Sequence, residues 1–153
     1  MKKLIAISAL VAGLAGCAEP VERMAKTPSG RPEVVFSTRN TASVSEKLTA
    51  LCAQKGLLIR ESSQNQVVCG GTMDGGDAIM TQFLIGNSYS TTPERYVRFS
   101  IFPSNGKTRV QAYQWVETQM AFGQVNKVEL NGNSQFNDVL KALVAVGGKP
   151  VSA

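Results

Sequence analysis

Apolar and polar positions along the chain switch between two periods, and the switches mark out its elements. Val34, Val35 and Phe36, inside Glu33 to Thr38, give a short β signal. From Ser43 the period lengthens. Val44, Leu48, Leu51 and Cys52 recur at helical spacing, with Lys55 at the edge of the stripe. Ser43 and Glu46 match the two halves of a capping box, and Gly56 supplies the residue that ends the helix. Leu57 to Glu61 and Gln66 to Met73 read as two strands across the polar turn Ser62 to Asn65. Val67 and Cys69 share one face of the second strand.

Gly70, Gly71, Gly75 and Gly76 interrupt the pattern. Asp77 can cap a short helix bearing Ala78, Ile79, Met80, Phe83 and Leu84; Thr81, Phe83 and Ile85 also alternate, so a strand competes. The sharpest β feature follows. Tyr96 to Phe102 alternates, Asn105-Gly106 is a type I′ turn pair, and Thr108 to Thr118 alternates again. With Asn105 and Gly106 as the whole loop, register is fixed. Ile101 faces Val110, Phe99 faces Ala112 and Val97 faces Gln114. On the other face Ser100 meets Gln111, Arg98 meets Tyr113 and Tyr96 meets Trp115. Val125 to Leu130 reads as a last strand. Ser134 starts a helix carrying Phe136, Val139, Leu140, Leu143 and Val146, and Gly147-Gly148 ends it before Pro150.

The order predicts an α+β fold: an antiparallel sheet of five to six strands with two main helices packed on one face. It resembles the helix-grip domains of accessory lipoproteins of outer-membrane assembly machinery. Residues 33–148 form the single domain, and 149–153 read as a disordered tail. Residues 18 to 32 hold Pro20, Pro28, Gly30 and Pro32 without any apolar period. They predict a flexible tether (with Cys17, residues 17–32) whose coil-like span is roughly 20 Å.

The N-terminus changes the picture most. Lys2 and Lys3 precede an uncharged run from Leu4 to Leu14, then Ala15 and Gly16. This is the layout of a signal peptide over residues 1–16, and the run is shorter than the roughly 20 residues a membrane span needs. Leu14-Ala15-Gly16-Cys17 resembles the lipobox of bacterial lipoproteins. That resemblance implies cleavage before Cys17, a diacylglyceryl group on its sulfur and an anchored, palmitate-bearing N-terminus in a membrane. Ala18, where an Asp would retain such a protein at the inner membrane, implies the outer membrane, with the domain in the periplasm. Three cysteines less a lipidated Cys17 leave Cys52 and Cys69. In an oxidising periplasm an even pair suggests a disulfide; two separate buried thiols are the alternative. Setting the Val67–Cys69 face under the first helix brings Cys69 to Cys52.

Composition narrows the chemistry. The net charge of +5 falls to +3 without Lys2 and Lys3, and the positive residues are scattered, so nucleic-acid binding is not indicated. The sequence has no histidine, which removes Ser-His-Asp and Cys-His catalysis and histidine-bound metals. Ser104-Asn-Gly-Lys107 matches Ser-x-x-Lys on paper but straddles the hairpin turn. Asp74-Gly-Gly-Asp77 lacks the spacing of a calcium loop. No cofactor, metal or catalytic residue is therefore expected. Tyr96, Arg98, Tyr113 and Trp115, brought together by the hairpin register, form the candidate protein-binding patch, since aromatics and Arg make interface hot spots. A helix covering that face would make it core instead. The leading expectation is a non-catalytic envelope lipoprotein, bound to the membrane through Cys17 and to another envelope protein as an accessory subunit. The alternative is a small-ligand or lipid carrier with a groove near Phe136, Leu140 and Phe99. A hydrolase would need a cleft with two perturbed carboxylates.

Overall fold

The computed structural model describes residues 20–73 and 91–153. The lipobox with Cys17, the Asp74–Asp77 loop and the helix-or-strand segment after it lie outside the described residues. Seven antiparallel strands form one sheet: β1 (Glu33–Phe36), β2 (Leu58–Ser62), β3 (Gln66–Thr72), β4 (Glu94–Ser104), β5 (Lys107–Gln119), β6 (Val125–Glu129) and β7 (Lys149–Pro150). The two described α-helices are α1 (Thr41–Gln54) and α2 (Asn133–Ala145). The fold is α+β, as the pattern predicted, and the described residues hold seven strands where five to six were expected.

The sheet order is β2-β3-β4-β5-β1-β7, and β6 also pairs with β5. β1 takes the first half of β5 and β6 takes the second. The β4–β5 hairpin turns at Asn105 and Gly106, with φ of 49° and 73°. Those left-handed angles are what a type I′ turn requires, and Asn and Gly tolerate them. The predicted register holds along the whole hairpin, from Ser104 opposite Lys107 to Glu94 opposite Glu117. The Ser-x-x-Lys sequence is therefore a hairpin turn.

Val67 and Cys69 on β3, Val97, Phe99 and Ile101 on β4, and Val110 and Ala112 on β5 share one parity. They form one apolar cluster with Val34 and Phe36, with Val44, Leu48, Leu51 and Cys52 of α1, and with Phe136, Leu140 and Leu143 of α2. Cys52 and Cys69 lie at disulfide distance in this core, Cα to Cα 6.2 Å.

Three expectations need correction. α1 starts earlier than Ser43: Asn40 is the cap, its side chain accepting from the Ser43 N–H at 3.1 Å. Residues 149–153 are not a loose tail. β7 pairs with β1, Val151 N–H donates to the Glu33 carbonyl, and Ala153 N–H donates to the Lys26 carbonyl. Residues 20–32 do not hang free either. Asn137, buried at the start of α2, donates to the Glu22 carbonyl at 2.7 Å and accepts from the Met24 N–H at 2.8 Å. Asn133 donates to the Val21 carbonyl. Arg23 reaches Asn131, Asn133 and the Gly30 carbonyl and lies 4.7 Å over the Phe136 ring. A buried amide with both ends satisfied holds its partner segment firmly, because releasing it would strand polar atoms.

Candidate interaction face

Tyr96, Arg98, Tyr113 and Trp115 have the opposite parity from the core residues of β4 and β5, so they stand on the other face of the sheet. The hairpin brings all four together. The Tyr96 and Trp115 rings stack at 5.2 Å with planes 11° apart, and Tyr113 tilts against Trp115 at 5.4 Å. Trp115 keeps only 8% of its surface, while the other three are half-buried.

Cations from neighbouring strands occupy the ring faces that remain. Arg60 of β2 lies 5.8 Å from the Tyr96 centroid, and Lys127 Nζ of β6 lies 4.0 Å from that of Trp115. One rung therefore runs Arg60, Tyr96, Trp115, Lys127 across the sheet. A second runs Arg98, Tyr113, Arg31, with both guanidinium carbons near the Tyr113 ring, at 5.2 and 4.7 Å. Cations over aromatic faces are favourable, more so when partly desolvated. The long stems of these residues also cover apolar ring surface. The sequence reading missed Arg31, Arg60 and Lys127. Arg60 and Lys127 come from strands whose register no turn pair announces, and Arg31 comes from the bend before β1.

Carboxylates balance two of these four cations, Arg60 and Arg31. Glu94 accepts from Arg60 at 3.0 Å and from the Tyr96 hydroxyl. Glu117 accepts from the Trp115 indole at 2.8 Å, and Glu129 pairs with Arg31 at 3.2 Å. Glu33 pairs with Arg109, whose Nε meets the carboxylate without a directed hydrogen bond. Burial, then the hydrogen bond to Glu94 and the negative charge of Glu94 and Glu117, push the Tyr96 hydroxyl up to about 12, against the opposing Arg60. Among the described residues the Lys127 ammonium contacts only the Tyr113 and Trp115 rings, and Arg98 stands apart again. Among the described residues it has no carboxylate partner, and its buried Nε has no hydrogen bond.

A cleft of about 510 Å³ opens at the end of this face, between Thr72, Thr91, Thr92, Glu94, Tyr96 and Glu117. Its two carboxylates sit directly opposite each other across the hairpin. Each already accepts from its own neighbours, as described above. No group of three metal-ligating side chains occurs among the described residues. Among the described residues Phe136, Leu140 and Phe99, the positions expected to line a carrier's groove, are buried in the core. Compared with known proteins, the chain matches no family model, no curated protein and no solved structure.

Proposed function

We propose that this chain is a non-catalytic lipoprotein of the bacterial envelope. It is anchored through Cys17 in the outer membrane, faces the periplasm, and binds another envelope protein as an accessory subunit. The lipobox sequence and signal-peptide layout support the anchor. An oxidised Cys52–Cys69 pair fits the same compartment.

The observation that carries the binding reading is Arg98. A guanidinium whose Nε is buried without a hydrogen bond, on a face where Arg31, Arg60 and Arg109 are each paired with a carboxylate, is an unspent donor. Its other ring-side neighbour, Tyr113, holds the fork in place. With Nε itself buried, the terminal nitrogens of this planar, positioned guanidinium are the ones that suit a carboxylate brought by a partner, through two parallel hydrogen bonds. The surrounding aromatic stack supplies a rigid, water-excluding rim of the kind found around hot spots.

The test is crosslinking in intact cells, comparing the wild type with Arg98→Ala and with Arg39→Ala, which lies at the far end of the hairpin against Gly106. Loss of a specific crosslinked protein in the first variant alone is expected. An unchanged set of crosslinks in Arg98→Ala would remove this face as the interface. Mass spectrometry of the mature N-terminus tests the anchor separately: an unmodified Cys17 would sink it.

A further inference from the structure

We infer that the domain is held flat against the lipid surface, with the start of α2 and residues 21–26 facing the headgroups. This rests on the lipid-anchor reading of Cys17 and adds to it a geometry that a lipobox does not contain.

The argument is one of reach. A free tether from Cys17 to Pro32 would let the domain stand up to about 50 Å from the bilayer when extended. The chain is instead fixed from Val21 onward. Asn133 takes the Val21 carbonyl, Asn137 takes the Glu22 carbonyl and the Met24 N–H, and Arg23 is locked between Asn131, Asn133, Gly30 and Phe136. Further on, Thr27 is buried, its hydroxyl donates to the Arg31 carbonyl, and the C-terminal Ala153 N–H closes on Lys26. Only four peptide steps then separate the lipidated residue from the first fixed carbonyl, a reach of about 14 Å at most. That is close to one headgroup layer, so the surface around Val21 has nowhere else to be.

The side chains there suit the position. Val21 and Met24 flank the locked Arg23 and are 55% and 57% exposed. Neither joins the core, so water covers both unless another surface does. Apolar side chains beside an anchor gain from entering the headgroup boundary, in proportion to the area buried. Asn131, Asn133 and Ser134, exposed beside them, are polar groups compatible with that layer.

The test uses the purified, lipidated full-length protein in vesicles of phosphatidylethanolamine and phosphatidylglycerol. Flotation reports the anchor, and hydrogen exchange of residues 21–26 and 131–137 reports the apposition. The reference is the unlipidated Cys17→Ser protein. A second variant carries about 12 Gly and Ser residues inserted after Ala18, which adds roughly 20 Å of coil without touching the domain. Slower exchange in both segments for the floating wild type, lost in the insertion variant, supports the inference. A wild type that floats but exchanges like the soluble reference overturns it and leaves the anchor intact. A wild type that does not float overturns both.

Discussion

The ring of Tyr96 lies directly over Gly70, its cross-strand neighbour on β3. A Cβ at position 70 would run into that ring and come within 2.8 Å of the Arg95 carbonyl oxygen, a backbone atom that cannot swing away. Glycine here makes room for the rung that crosses the sheet. Gly70→Ala is expected to cost about 1–3 kcal/mol, as overpacking does, and to separate Tyr96 from Trp115. Urea unfolding would measure the first effect and near-ultraviolet circular dichroism the second. Unchanged values in both would mean that the ring is not seated over β3 in solution.

The Tyr96 hydroxyl makes a pH prediction with a definite sign. Its pKa rises from 10.0 to about 12 on folding, so the folded state holds this proton more tightly than the unfolded one. The stability it contributes is complete below about pH 10 and is lost as pH climbs from there to about 12. Tyr96→Phe is expected to flatten that part of the stability profile, read as the difference between the two proteins. A profile that falls equally in both would place the titration elsewhere.

The Cys52–Cys69 pair ties α1 to β3 over 17 residues. A closed loop of that length is worth about 3 kcal/mol by the chain-entropy relation. Reductant is expected to lower the wild-type midpoint of unfolding and to leave Cys52→Ala/Cys69→Ala unaffected. Equal responses, together with free thiols by alkylation, would show that the bridge does not form.

What could be read in the sequence was whatever a short local signal dictates. Asn105-Gly106 admits one two-residue loop, so every pair from Tyr96–Trp115 to Ile101–Val110 followed from it. The period of two likewise put Cys69 beside Val67 on one face of β3, which is the core face. The cap of α1 was misplaced because Asn40 and Ser43 are both good caps one turn apart, and only the accepted Ser43 N–H distinguishes them. The clamp on residues 21–24 left no trace in local periodicity. It consists of side chain–backbone bonds from Asn133 and Asn137, more than a hundred residues away. β7 was hidden for a related reason. Gly147-Gly148 ended α2 and Pro150 barred its restart, but proline is also tolerated in an edge strand, where it need not donate.

Two ion pairs beside the aromatic face are expected to differ sharply in worth. In Arg31–Glu129 both side chains are more than a third exposed, so the pair is screened, and Arg31→Ala should cost about 1 kcal/mol or less from that source. In Arg109–Glu33 the carboxylate keeps 3% of its surface. Arg109→Ala would leave it buried with little beyond the Ser29 hydroxyl, at a cost of about 3 kcal/mol. Urea unfolding of the two variants at low and high salt decides the matter. Equal losses, both removed by salt, would contradict the burial argument.

Phe122 raises a different question, because it contributes nothing to the described core. It sits at the tip of the β5–β6 connection, fully exposed, with a left-handed backbone at φ 66° and ψ 21°. A short link from the Met120 N–H to the Gln124 carbonyl closes the loop around it. The left-handed region costs a residue with a Cβ about 1–2 kcal/mol. Glycine would remove that cost, offset in part by its greater freedom when unfolded. Phe122→Gly is therefore expected to stabilise the domain by up to about 1 kcal/mol, since no buried contact is lost. A loss of stability in urea unfolding would show that the ring packs against the protein in solution. The expected gain would instead mark the phenylalanine as a residue that folding does not require, and the crosslinking experiment in cells should then be repeated on this variant.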